Sequence, residues 1–184
     1  ETVWDYETER LIFGSYALAP RSFVASWDIN EAPTPNTIMI GGDGTTASPG
    51  LGPVVGTGTS MRDIFGVTLG HHPTTGALLG YYLAFNADHF LGLITNTAPY
   101  TFTRTAGDGT PAFNDATGGL AQVNAPRGMC YHRGARKSWL ADGGNNRIRE
   151  IVYNTGSNDF DVSTLAGTGV AGNGGGSALS ATFK

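Results

Sequence analysis

The stretch Ala141-Asp-Gly-Gly-Asn-Asn-Arg-Ile148 decides the fold, together with the segment Thr164-Leu-Ala-Gly-Thr-Gly169 that follows it. The first segment places a turn of glycine and asparagine between two short strands, because these residues adopt the backbone angles that tight turns need. The second segment is a glycine-rich connector. Similar connectors stand earlier in the chain, at Thr37-Ile-Met-Ile-Gly-Gly-Asp-Gly44 and Thr103-Arg-Thr-Ala-Gly-Asp-Gly109. Connectors that recur in this way indicate an internal repeat.

The repeat is longer than most repeats that are built from β-sheets. Gly42, Gly107 and Gly167 stand at equivalent places in the three connectors, so the connectors recur at nearly even intervals. These intervals exceed the length of common β-sheet repeats, which is about 40–50 residues, and long loops must account for the difference. We therefore divide the chain into three units of one domain, with the boundaries 1–62, 63–125 and 126–184.

Each unit contains four short segments that are typical of antiparallel strands. Residues 147–153 alternate polar and apolar side chains, as a half-buried strand does. Residues 77–84 are almost continuously apolar, which is typical of a strand that is buried on both faces. The predicted strands are 3–6, 11–16, 22–27 and 37–40 in the first unit, 64–69, 77–84, 89–94 and 100–105 in the second, and 126–132, 138–142, 147–153 and 160–165 in the third.

The composition agrees with an all-β class and excludes several others. Only 14% of the residues are charged and 28 are glycine, which favours short strands and tight turns over long exposed helices. No apolar run is long enough for a membrane-spanning helix, which excludes such a helix. The net charge of −4 argues against an electrostatic binder of nucleic acid. A composition rich in Gly and Thr, with only two lysines, suggests an exported or cell-surface protein.

The quoted motifs resemble the NHL repeat, in which Ala-Asp-x-x-Asn-x-Arg-Ile is followed by Leu-Ala-Gly-x-Gly. The third unit matches it best and adds Ala181-Thr-Phe183. The second unit is weaker, with Ala84-Phe-Asn-Ala-Asp-His89 in the corresponding place, and the first retains only Arg21. The resemblance implies a partial β-propeller of three four-stranded antiparallel blades, about half of a propeller of roughly six blades.

Such a blade is apolar on both faces because each face packs on a neighbouring blade. Three blades alone would leave two apolar faces open, so we expect another segment of a longer protein, a second copy or a neighbouring subunit to complete the propeller. The expected function is that of a non-catalytic scaffold or protein-interaction module, whose loops 42–62 and 106–125 bind a protein partner. No catalytic residue or cofactor is predicted.

Asp142, Asn145, Asn146 and Arg147 form the most motif-like polar cluster. They could line a ligand site, but we expect Asp142 and the asparagines to satisfy turn amides and Arg147 to pair with an acid. Gly107 and Gly167 are expected to be structural residues of the connectors.

Six of the 11 basic residues lie between positions 127 and 149. We predict an interaction edge there, and since NHL propellers can bind RNA on a basic face, RNA binding is one alternative function. Two acids, Asp142 within the run and Glu150 directly after it, argue against a nucleic-acid partner. The residues of the predicted edge are Arg127, Arg133, Arg136, Lys137 and Arg149.

The second alternative is a metal-dependent lyase or hydrolase, since some NHL-like propellers are zinc lyases with histidine ligands. No acid or cysteine completes such a set, and we expect solvated turn histidines at His71, His72, His89 and His132. The only cysteine, Cys130, excludes an internal disulfide and is expected to be a buried thiol. Weak calcium ligation in the connectors is left open, at Asp43, Asp108 and Asp115, as is glycan binding by the loops.

Overall fold

The computed structural model describes residues 2–6, 10–14, 24–28, 37–41, 54–55, 61 and 63–184. Before residue 61 it describes the side chains of Thr2, Asp5, Tyr6 and Ile12 only. The first sheet is antiparallel with its four strands in chain order, and these are β1 (Thr2–Asp5), β2 (Arg10–Gly14), β3 (Val24–Asp28) and β4 (Thr37–Gly41).

The second and third sheets repeat this meander and add one short strand each. In the second sheet the order is β5-β9-β8-β7-β6, formed by β5 (Val54–Val55), β6 (Ile64–His71), β7 (Leu78–Phe85), β8 (Phe90–Thr95) and β9 (Thr101–Ala106). In the third sheet the order is β10-β14-β13-β12-β11, formed by β10 (Ala116–Thr117), β11 (Pro126–His132), β12 (Lys137–Asp142), β13 (Arg147–Asn154) and β14 (Asp159–Ala166). All pairings in these sheets are antiparallel.

The all-β class is confirmed, and the ends of each of the twelve predicted strands lie within two residues of those of an observed strand. The prediction of four strands in each sheet is wrong for the second and third sheets, which have five. The extra strand is a short piece of the preceding connector that pairs with the last strand of the meander. It gives the backbone of that edge strand hydrogen-bonding partners that it would otherwise lack. Among the described residues no helix is long and apolar enough to cross a bilayer.

The second and third connectors share their backbone geometry, as their sequences predict. Gly107 and Gly167 both have positive φ, 89° and 102°. The N–H of Gly107 donates to the carbonyl of Gly118, and the N–H of Gly167 donates to the carbonyl of Ala178. Both carbonyls belong to the first residue of a short 3₁₀ turn, at Gly118–Leu120 and Ala178–Ser180.

The second sheet packs between the other two. One cluster joins Ile12 of the first sheet to Leu83, Phe85 and Phe102 of the second. On the opposite face Tyr82 packs against Phe160 of the third sheet, with 4.4 Å between ring centroids. Buried apolar side chains therefore line both faces of the middle sheet, which explains the nearly continuous apolar sequence of β7.

Candidate functional site

Asp142 is the centre of the motif cluster and its side chain is fully buried at the end of β12. Its Oδ1 accepts a hydrogen bond from the N–H of Asn124 at 2.8 Å. Its Oδ2 accepts from the side-chain amide of Asn145 at 2.9 Å and from the guanidinium of Arg149 at 2.6 Å. Every one of these partners belongs to the third sheet or its connector, so the carboxylate stabilises the sheet rather than facing a ligand.

Arg149 does not belong to the interaction edge predicted from its charge, because its side chain is fully buried. Besides Asp142 it pairs with Asp115 at 2.6 Å, and it donates to the carbonyls of Asn114 and Gln122. Strand alternation places Arg149 on the same face of β13 as Ile151, two residues away. The packing of the third sheet on the second decides that this face is buried. Asp115, one of the candidate calcium ligands, is therefore an ion-pair partner of Arg149.

Arg147 has a different role from the acid pairing that we expected. Its guanidinium lies 3.8 Å from the ring centroid of Phe113 and donates to the carbonyls of Asn145 and Thr168. Among the described residues the ion pairs of this cluster are made by Arg149 instead. Asn146 occupies the left-handed region, with φ 51°, which its short side chain tolerates.

The remaining basic residues of the predicted edge have different surroundings. Arg136 reaches back to the second unit and donates to the carbonyls of Pro73 and Thr74. Lys137 is paired with Glu150 at 2.7 Å. The guanidinium of Arg127 lies 6.0 Å from the ring centroid of Phe65, whereas Arg133 is exposed. These side chains therefore point to different neighbours.

The histidines differ from the expectation of solvated turn residues in one case. His71 belongs to β6, is 6% exposed and stacks on Tyr131 with 4.5 Å between ring centroids. His72 and His132 lie directly before turns and His89 lies within one, and Nδ1 of each accepts a backbone hydrogen bond. Within the described part of the chain, no three side chains of His, Cys, Asp or Glu are grouped as a metal site would require.

The expectation of a buried Cys130 is wrong, because this residue is exposed. It lies on β11, which is the edge strand of the third sheet. Cys130 pairs with Trp139, so its side chain lies on the face of the third sheet opposite to the one that packs on the second sheet through Leu140.

A groove of about 320 Å³ runs along the first strands of all three sheets, β1, β6 and β11. We call it the first-strand groove. Each of these strands is an edge of its sheet. The sequence did not reveal this groove, because its wall is formed by residues of all three units, which lie far apart in the chain. Its lining is formed by Thr2, Tyr6, Val67, Thr68, Leu69, His71, Met129, Cys130, Tyr131 and Arg133.

The loops expected to bind a partner are described in part. Of residues 42–62, the structure describes only the strand β5 and the buried Met61. In residues 106–125, the side chain of Leu120 is 76% exposed and that of Phe113, under Arg147, is 42% exposed.

Comparison with known proteins shows a shared fold. No protein-family model and no curated protein matches the chain. Among solved structures, an auxiliary nutrient binding protein from Bacteroides thetaiotaomicron superposes with a TM-score of 0.60 at 18% identity. The match covers 81% of this chain and 36% of that one. A second protein from the same organism, of unknown function, superposes with a TM-score of 0.51 at 16% identity, covering 99% of this chain and 51% of that one. The chain thus spans between about a third and a half of the length of these neighbours.

Proposed function

We propose that this chain is a section of an NHL-type β-propeller, in which each sheet is a blade, and that it acts as a non-catalytic scaffold. In this proposal the third sheet binds a further β-sheet, supplied by the same protein or by a partner. One observation carries the proposal. The second sheet packs on the third through a set of apolar residues, and the third sheet has residues of the same kind at the equivalent positions on its opposite, outer face.

Cross-strand pairing establishes the equivalence of these positions. Tyr82 pairs with Leu93 in the second sheet, as Trp139 pairs with Glu150 in the third. The register shift that follows Leu91 in the second sheet has its counterpart after Ile148 in the third. The outer face of the third sheet is thereby defined, and its residues are Trp139, Ala141, Ile148, Glu150 and Ala166.

The equivalent residues of the second sheet are buried, and those of the third are half-buried. Tyr82, Ala84, Leu91, Leu93 and Ala106 pack against the third sheet, each at most 9% exposed. The outer face of the third sheet carries the same apolar pattern except at one position, where Glu150 replaces a leucine and is paired with Lys137.

The residues that precede the first strand of each sheet show the same similarity between the second and third sheets. Met61 and Val123 precede the first strands of the second and third sheets, and both are fully buried. Phe183 stands at the corresponding place after the third sheet and is only half-buried. A further sheet on the third would bury Phe183 as the third sheet buries Val123, and apolar burial of this kind drives association.

Arg149 is buried and Lys137 is paired with Glu150, which favours this scaffold over the RNA-binding alternative, since a phosphate backbone needs free cations at the surface. An exported or surface location is part of the proposal and is compatible with a structural neighbour that is described as a nutrient binding protein. The exposed Leu120 makes the connector 106–125 a second candidate contact for a protein partner.

The test is self-association of the chain, because a second copy can cover the outer face when no other sheet is present. We expect a concentration-dependent increase in sedimentation coefficient. Ile148→Lys places a charge on that face and should weaken association at least about tenfold. The matched control is Val170→Lys, at a connector residue that is already 65% exposed.

Thermal unfolding of both variants shows whether the fold is retained. A chain that stays monomeric up to about 1 mM, or an Ile148→Lys variant that associates as strongly as the control, would contradict the proposal.

A further inference from the structure

We infer that the first-strand groove is a binding site for a small aromatic anion, a one- or two-ring molecule that carries a carboxylate. The groove measures about 320 Å³, which is at the lower end of the volumes of small-molecule sites. A molecule of that size fits without displacing any of the three sheets.

The walls of the groove are suited to a flat ring. His71 and Tyr131 stack face to face at 4.5 Å with 16° between their planes, so the stack holds both rings in fixed positions on the groove wall. Tyr6, whose side chain is 68% exposed, follows β1 directly. Val67 and Leu69 add apolar surface from β6. Aromatic rings bind other rings by offset or edge-to-face contact, so these walls favour an aromatic body over a flexible chain.

The charge of the groove selects an anion. Among the residues that the structure describes, Arg133 is the one permanently charged member of the lining, and none contributes a carboxylate. In the same part of the chain Arg133 makes no ion pair. A guanidinium matches a carboxylate in geometry because it can donate two parallel hydrogen bonds. A ligand with a ring between the aromatic walls and a carboxylate on Arg133 would satisfy both parts of the site.

None of the five residues that define the outer face of the third sheet lines the groove. Cys130, which pairs with Trp139 of that face, lies where the two surfaces meet. It brings together the three units, because the lining includes residues of β1, β6 and β11. Binding therefore requires the stack of three sheets to be intact.

The experiment uses the chain with 2-naphthoate as the probe and the neutral 2-naphthamide as its isostere. Ligand-detected NMR or calorimetry measures both dissociation constants. We expect saturable binding of 2-naphthoate, with 2-naphthamide about fivefold weaker, which is the effect of one solvent-accessible ion pair.

Arg133→Gln should weaken 2-naphthoate about fivefold and leave 2-naphthamide unchanged. The control Arg127→Gln removes another exposed arginine, which does not line the groove, and should change neither. Tyr6→Ala should weaken both probes equally, because it removes ring contact and no charge.

Cys130 reports the location of binding, since it is the only cysteine, is exposed and lines the groove. Bound 2-naphthoate should slow its alkylation by iodoacetamide. The inference is overturned if 2-naphthoate does not bind saturably, if 2-naphthamide binds equally well, if Arg127→Gln and Arg133→Gln have equal effects, or if the ligand leaves the alkylation rate unchanged.

Discussion

Removing the charge of Asp142 should destabilise the third sheet more than any surface substitution. The side chains of Asp142 and Arg149 are both fully buried, and Oδ2 of Asp142 lies 2.6 Å from Nη1 of Arg149. In Asp142→Asn the guanidinium of Arg149 stays buried and retains only Asp115 as a counter-charge, at a carboxylate that is 43% exposed. Breaking a buried pair by removing one partner costs about 3–5 kcal/mol. We expect a loss in this range because the one remaining counter-charge, on Asp115, is partly exposed and compensates the buried guanidinium less well.

The control is the pair between Lys137 and Glu150, which has a similar distance of 2.7 Å but side chains that are 41% and 21% exposed. Water solvates both groups when the pair is broken, so Lys137→Met should cost at most about 1 kcal/mol. The two pairs therefore differ in burial and hardly in geometry.

Urea unfolding followed by circular dichroism measures both effects. With a slope of about 2 kcal/mol per molar urea, Asp142→Asn should lower the midpoint by about 2 M and Lys137→Met by less than 0.5 M, roughly. Adding Arg149→Met to Asp142→Asn should recover part of the loss, because the unpaired cation is then absent. The reasoning is refuted if Asp142→Asn costs no more than Lys137→Met, or if the double variant is simply additive.

Three further substitutions test the backbone, the core and the titration of one buried group. Gly167→Ala should lower the free energy of unfolding in urea by about 1–3 kcal/mol. The φ of Gly167 is 102°, and a Cβ there would lie 2.6 Å from the carbonyl oxygen of Asn146. Gly175→Ala is the control and should leave the free energy of unfolding nearly unchanged, because a Cβ there would have no atom within 4 Å. Phe102→Ala should cost about 3–5 kcal/mol, since this ring is fully buried. Burial raises the pKa of Tyr82 well above its usual value near 10. The folded state therefore holds this proton more tightly than the unfolded state does, and stability that is fully present below pH 10 should fall as the pH rises further. Tyr82→Phe should remove this part of the alkaline dependence in melting temperatures measured between about pH 8 and 11.

Each of these results has an outcome that contradicts it. Equal losses in Gly167→Ala and Gly175→Ala would show that the connector tolerates a side chain at both glycines. A loss below about 1 kcal/mol for Phe102→Ala would show that the core closes around the cavity. Identical alkaline profiles of the parent chain and Tyr82→Phe would show that another group carries the pH dependence.

The strands and the connectors could be read from the sequence because their signals are local. Alternation in β13, the apolar run in β7 and the glycines at positions 107 and 167 each act within a few residues, so no knowledge of distant segments is needed. The fifth strands were missed because β5 and β10 are very short and exist through pairing with a strand much later in the chain.

The environment of individual side chains depended on the packing of whole sheets. The sequence alone determined that the chain makes antiparallel meanders separated by recurring glycine-rich connectors, because hydrogen-bonded turns and strand alternation are properties of short segments. Only the tertiary structure decided that Arg149 is buried, that Cys130 is exposed and that three edge strands enclose a groove. Burial and groove formation depend on which faces and edges meet, and those contacts join residues from all three units of the chain.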